Sequence, residues 1–163
     1  MTIMLQSGQL FDLTSPKTNE FNIEDIAHGL SHICRFVGQA ARFYSVAEHS
    51  VLVSHVVPHS QLAALLHDAA EAFMGDVSTP LKRLLPEFHA IEERIERAIF
   101  SRFGVDWPTP PEVKLADIQV LAAEVQVLMP KNWLKLNPAP VKIQGLPPIE
   151  AKALFLARYY ELR

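Results

Sequence analysis

The sequence predicts an all-α fold carrying one small N-terminal β-hairpin. Three observations carry that prediction. From Asn22 onward apolar residues recur at three- and four-residue intervals, helix-start signals stand where those intervals begin, and alternation by twos is confined to residues 1–14. At 163 residues the chain has the length of one compact domain and leaves no room for a second full one. It is 49% hydrophobic and 20% charged, a balance that predicts an ordered core.

Residues 1–14 alternate around Ser7-Gly8, as a short hairpin would, and two strands alone are marginal in water, so they must lean on other elements. A first helix follows from Asn22 as cap, with Asp25 three residues on. Ile23, Ile26, Ala27, Leu30, Ile33 and Cys34 lie on its inner face, and Gly38 is its expected stop. Ser45 and Glu48 fit a capping box opening a second helix toward Val57. Leu62, Leu65, Leu66, Ala69, Ala70 and Phe73 form one stripe, which predicts a packed helix from Gln61 to Met74 ending near Gly75.

Phe88, Ile91, Ile95, Ala98 and Ile99 mark the inner face of a long helix from about Pro86 to Phe103, whose intervening Glu and Arg residues read as a solvated face. Thr109 as cap, Pro110-Pro111 at the first turn and Glu112 closing a box begin another, running to about Met129. The prolines between residues 130 and 148 predict an irregular connector with a short extended piece at Val141 to Ile143, and a last helix starts at about Pro148.

The formal net charge of -3 argues against a protein that coats a nucleic acid polymer, which needs a basic face. No apolar stretch approaches the ~20 residues that span a bilayer. Cys34 is the one cysteine, and MTIMLQSGQLFDL lacks the charged start and apolar run of a secretory signal, so the expected compartment is the cytoplasm.

Three of the helices carry potential metal ligands: His49 on one, the doublet His67-Asp68 on the next, and Asp117 on a later one. Asp68 lies among Leu65, Leu66, Ala69 and Ala70, and Asp117 among Leu115, Ala116, Ile118 and Val120, where an unpaired carboxylate is expensive to desolvate. A shared cation would remove that cost. The competing reading makes the histidines ordinary core residues and the aspartates caps or ion-pair members; it weakens when all four are taken together. Glu71 shares the face of His67 and Asp68 and can approach water at such a site. The expected cofactor is a divalent ion, Zn, Co, Mn or Mg; mixed imidazole and carboxylate ligation also suits Fe or Ni, and spacing does not choose.

His49, the doublet in LLHDAAE and Asp117 in KLADIQVLAAE resemble the H…HD…D signature of HD-domain phosphohydrolases. The likeness extends through SGQLFDL, IEDIAHGLSHICRFVGQAARFYSVAEHSVLVS and HDAAEAFMGDVSTPLKRLLP, and is strongest to the compact branch that hydrolyses nucleotides. It implies a single HD-domain helical bundle over 1–163, with His49, His67, Asp68 and Asp117 as metal ligands. Glu71 would orient or deprotonate the attacking water, and Asp76 would deliver a proton to the departing oxygen; the plainer reading of Asp76 is a turn residue after Gly75. Arg35 would grip phosphate and Phe36 would flank the nucleoside, against the readings of a surface ion pair and simple packing.

Lys82, with Arg83 as alternative, is placed to reach outer phosphates, or is an exposed lysine with no role. His28 and His32 are spaced i, i+4 but lack a third ligand and read as packing or interface residues. Glu124, seven residues after Asp117 on nearly the same face, reads as a carboxylate behind the ligands or as a buried or subunit-interface salt bridge. The resemblance implies hydrolysis of deoxynucleotides, in first place dATP to deoxyadenosine and triphosphate, with a 5'-deoxynucleotidase next. A noncatalytic nucleotide-sensing module is the alternative of another class. An oxygen-using di-iron site would need further histidines after the doublet. A homo-oligomer is expected, with a hexamer implied by the resemblance to phage triphosphohydrolases.

Overall fold

Strands β1 (Thr2–Met4) and β2 (Leu10–Asp12) pair antiparallel across the Ser7-Gly8 turn in a computed structural model that describes residues 1–163. Phe11 is the hairpin's anchor: fully buried, it stacks on Phe73 with ring centroids 4.0 Å apart and meets the edge of Phe21 at 5.5 Å. Helix α1 (Ile23–His32) starts at the expected capping box, in which the Asn22 side chain accepts from the Asp25 N–H and the Asp25 carboxylate accepts from the Asn22 N–H.

Helix α1 stops six residues before Gly38. Ile33 turns extended and the chain pairs instead with residues 44–46, the Arg35 N–H donating to the Tyr44 carbonyl at 2.9 Å and the Val46 N–H to the Ile33 carbonyl at 3.1 Å. These bonds satisfy backbone groups that a longer helix would have used internally. Arg35 then leads into a 3₁₀ turn, Phe36–Gly38, in which Phe36 and Val37 both have positive φ.

Helix α2 (Val46–Val56) is buried on nearly all sides and packs against α1, α3, α7 and α8. Ser45 caps it through the Glu48 N–H, but Glu48 does not complete the box: its buried carboxylate accepts from the backbone N–H groups of Gln144, Gly145 and Leu146. Those three donors belong to the proline-broken connector, which has no ladder of its own and forms no strand at Val141 to Ile143.

The expected continuous helix from Gln61 to Met74 is two helices, α3 (Gln61–Leu66) and α4 (Glu71–Met74), separated by the turn His67–Ala70. Through this turn the bonds tighten to i→i+3, with Ala69 N–H on the Leu66 carbonyl and Glu71 N–H on the Asp68 carbonyl, both at 3.0 Å. Helix α4 lies tight against α1, so that a methyl on Gly29 would stand 2.8 Å from the Ala72 carbonyl oxygen. After the one-turn helix α5 (Thr79–Lys82), α6 (Pro86–Phe103) has the expected bounds and ends on left-handed Gly104.

Helix α7 (Pro111–Leu128) begins without a side-chain cap, because the Thr109 hydroxyl donates to Glu96 instead. Helix α8 (Pro148–Glu161) is pinned to α2 by Arg158, whose guanidinium donates to the Ser54 hydroxyl and carbonyl. The main core collects Phe11, Ile26, Leu30, Leu66, Phe73, Ile99 and Phe155, while Val53, Val57, Val113 and Val120 form a second apolar cluster between α2 and α7. No helix is long and apolar enough to cross a membrane.

Candidate metal centre

Two imidazoles are held with one nitrogen engaged and the other bare. His49, in the second turn of α2 and fully buried, places Nδ1 2.6 Å from Glu124 Oε1 on α7. His67, at the end of α3, places Nδ1 2.7 Å from the Ala64 carbonyl one turn back. A carbonyl or an ionised carboxylate can only accept, so both Nδ1 atoms carry the hydrogen, and each ring in its neutral form presents an Nε2 lone pair. Both Nε2 atoms are buried without a hydrogen-bond partner.

The carboxylates converge on those lone pairs. Asp68 Oδ2 lies 3.2 Å from His67 Nε2 and 3.7 Å from His49 Nε2, and Asp117 Oδ1 lies 3.3 Å from His49 Nε2. Neighbouring donors around one cation with bonds of about 2.1 Å sit roughly 3.0–3.4 Å apart. His49, His67 and Asp68 could therefore hold a metal ion, each offering a ligand atom within 4.8 Å of the others. Asp117 adds an oxygen beside His49, its second oxygen being taken by Lys114 at 2.7 Å. Two buried, unpartnered nitrogens oriented by acceptors behind them are what a metal needs of histidines.

The electrostatics point the same way. Burial and the Arg35 guanidinium push His49 down, but Glu124 and Asp117 outweigh them and raise its pKa to about 9. Burial likewise opposes ionisation of Asp68, yet His67, His49 and Arg35 hold its carboxyl far below the usual range; the two histidines do the same for Asp117. The cluster draws positive charge onto itself, which a cation would also satisfy.

The broken helix explains Glu71. In a 3₁₀ turn residues i and i+3 eclipse, so the Glu71 N–H on the Asp68 carbonyl brings residue 71 closer into line with residue 68 than an α-helical turn would. Burial, then Asp68 and Asp76, raise its pKa to about 9, and Oε2 is buried without a partner. Burial also raises Asp76.

Glu124 turns out to be the hub of the site. Besides His49, its Oε1 accepts from the Tyr44 hydroxyl at 2.8 Å, and its Oε2 accepts from Arg35 Nε and Nη2 at 3.2 and 3.0 Å. Burial alone would raise Glu124, but Arg35 and His49 lower it to about 2. Arg35 is thus a buried pair with Glu124 rather than a surface ion pair, and its Nη1 faces Asp68 at 3.7 Å.

Asp68, Asp117, Arg35, Phe36, Glu71, Asp76 and Lys82 all line a cleft of about 590 Å³. Lys82 is not free there: Nζ lies 2.6 Å from Glu92 and 3.5 Å from Glu71. Arg83 is exposed and outside the cleft, so it does not substitute. His28 and His32 lie against one another, ring centroids 4.2 Å apart and planes tilted by 32°, and neither lines the cleft.

The solvated-face reading of α6 holds for Arg94 and Arg97 but not for Glu92 and Glu96. Glu96 lines a small pocket with His67, Asp68 and Asp117, and burial raises its pKa to about 7. The signal was present in the spacing: Glu92 and Glu96 are one turn apart and share a face with buried Ile95 and Ile99. Nothing in the sequence marked Lys114 or Tyr44.

Fold and site together define a mainly helical protein with an imidazole and carboxylate centre, able to hold a metal, beside a cleft of ligand size. The chain is 38% identical to the uncharacterized protein YfdR of Escherichia coli, over 96% of this chain and 92% of that protein. It is 34% identical to an uncharacterized protein of Rhodobacter capsulatus, over the same shares. The chain belongs to the family of YfdR and its relatives. No protein-family model matches it.

Proposed function

We propose that this protein is a divalent-metal-dependent phosphohydrolase of the HD-domain type acting on deoxynucleotides. The observation that carries the proposal is the pair of buried, unpartnered Nε2 atoms of His49 and His67, facing Asp68 and Asp117 beside a cleft of nucleotide size. When bound, a divalent ion supplies Lewis-acid polarisation of a phosphoryl oxygen and lowers the pKa of water toward ~7. His49, His67, Asp68 and Asp117 hold that ion.

The remaining work falls to neighbouring side chains. Arg35, already fixed by Glu124, turns Nη1 to the cleft and binds a phosphate oxygen. Glu71 accepts a proton from the attacking water as the new P–O bond forms, and Asp76 gives a proton to the nucleoside oxygen as the old P–O bond breaks. Burial raises Asp76, which suits a proton donor, whereas Glu71 accepts only in its ionised form, which the positive charge of a bound ion would favour over the protonated state that burial, Asp68 and Asp76 impose without it.

Between triphosphate and monophosphate substrates, the pairing of the cations favours the monophosphate. A triphosphate brings about four negative charges and needs several free cationic groups. Arg35, Lys82 and Lys114 line the cleft, and each is already paired with a carboxylate. A 5'-deoxynucleotidase reading therefore stands ahead of dATP triphosphohydrolysis. The test is a screen of EDTA-stripped protein against deoxynucleoside mono-, di- and triphosphates with Zn, Co, Mn and Mg, resolving products by chromatography. Phosphate and deoxynucleoside from a monophosphate is the expected result; no metal uptake and no product with any ion would overturn it.

A further inference from the structure

The cleft beside the metal centre changes character along its length, and its far end has no part in the chemistry above. Helix α7 sets the gradient. Asp117 stands at the charged end, Leu121 follows on the same face about 6 Å further along the axis, and Met129 caps the helix. Phe36, Val37 and Trp133 complete the apolar end, with Gln39 as its polar neighbour.

Two features hold this end in place. The loop bearing Phe36 is fixed to the end of α7 by the Ala41 N–H on the Leu128 carbonyl at 2.8 Å, and Phe36 itself packs on the cluster of Tyr44, Ala123, Leu128 and Ile143. The segment bearing Trp133 leaves α7 at Met129 and is tied back to it by the Ala139 N–H on the Gln119 carbonyl at 2.9 Å. An Asx turn, Leu134 N–H on Asn132 Oδ1 at 3.0 Å, fixes the chain at Trp133.

Trp133 is nonetheless 57% exposed and Val37 63% exposed, large apolar groups left at the mouth of the cleft. Val37, a β-branched residue at φ 53, also sits in a backbone conformation that such residues rarely adopt. An exposed tryptophan lining the same cleft as a second aromatic residue presents a stacking surface for a flat ring, with the Gln39 amide also on the cleft wall for its polar edge.

We propose that Trp133, together with Phe36 and Gln39, forms a nucleobase-binding end of the cleft, so that the base is held there while the phosphate lies at Asp68 and Asp117. This rests on the proposed nucleotide substrate and adds the residue that recognises the base. The ring of Trp133 supplies a face that every base can stack on, so the site favours purines over pyrimidines by stacking area and does not select one base absolutely.

Two measurements test it. The first is fluorescence of metal-free Trp107→Phe protein, in which Trp133 is the sole tryptophan, titrated with deoxyadenosine. Quenching that saturates, and is absent on titration with deoxyribose, is expected; no quenching overturns the proposal. The second compares Trp133→Ala and Trp133→Phe with the parent on dAMP and on 2-deoxyribose 5-phosphate in the metal-loaded enzyme. Trp133→Ala should raise KM for dAMP about 10-fold or more relative to its effect on the base-less substrate, with Trp133→Phe recovering most of the loss. Equal effects on both substrates overturn the assignment and leave hydrolysis intact. If no substrate is hydrolysed, the hydrolase reading fails, and the deoxyadenosine titration alone decides whether Trp133 binds a base.

Discussion

Replacing Glu124 by glutamine should damage both the fold and the metal centre, because one buried carboxylate serves His49, Tyr44 and Arg35 at once. Glutamine keeps one carbonyl oxygen and sets an NH₂ group against either Arg35 or the His49 and Tyr44 donors. It also leaves the Arg35 guanidinium without its buried counter-charge. Breaking a buried pair in this way costs about 3–5 kcal/mol.

The pKa gives a second route to the magnitude. A fall from the ordinary 4.5 to about 2 corresponds to roughly 3 kcal/mol of stability. Because the folded value is depressed, that contribution is complete above about pH 4.5 and is lost as the pH falls toward about 2. The expected fall in Tm for E124Q is roughly 6–20 °C near neutral pH, with a flatter acid limb than the parent. Metal affinity should fall about 10- to 100-fold, since His49 loses the acceptor that fixes its ring. Tyr44→Phe removes a single donor from the same carboxylate and should cost only about 1 kcal/mol. Urea unfolding of EDTA-stripped protein and calorimetric titration with Zn or Mn measure both effects. An E124Q protein no less stable than Tyr44→Phe, binding metal like the parent, would refute the reasoning.

Further outcomes follow from the same geometry. Asp68→Asn should lose bound metal with helix content retained by circular dichroism, whereas Glu71→Gln should keep the metal and lose turnover. Gly29→Ala drives a methyl into the Ala72 backbone at 2.8 Å and should destabilise by about 1–3 kcal/mol in urea unfolding, without entering the cleft. Burial raises the folded Glu96 pKa to about 7, so stability should decline as pH climbs from about 4.5 through 7. Metal-free Glu96→Gln should then exceed the parent by about 1–2 kcal/mol at pH 8 and converge with it below pH ~4.5. Light scattering should give a mass above the 18.3 kDa of one chain, because Leu81, Leu84 and Leu85 are left exposed together.

The sequence by itself determined the helical class, the N-terminal hairpin, the start of α1 and the bounds of α6, because each rests on local periodicity and capping that read within one element. It also singled out His49, the doublet His67-Asp68 and Asp117, on three separate segments, as one candidate set, since buried polar residues among leucines and alanines are costly wherever the helices lie. What the tertiary structure decided are the features that depend on partners distant in sequence. The pairing of residues 33–35 with 44–46 ends α1 early, and the connector draws Glu48 out of its capping box. The spacing from Asp117 marked Glu124 as a carboxylate behind the ligands or a buried salt bridge, but its joining of His49, Tyr44 and Arg35 arises only where α7 crosses α2, 75 residues from His49. The tightened turn at His67–Ala70 was likewise not legible: the apolar stripe runs through it and Ala69 and Ala70 are good helix formers, and the weak helix propensity of His67 and Asp68 alone does not specify i→i+3 bonds.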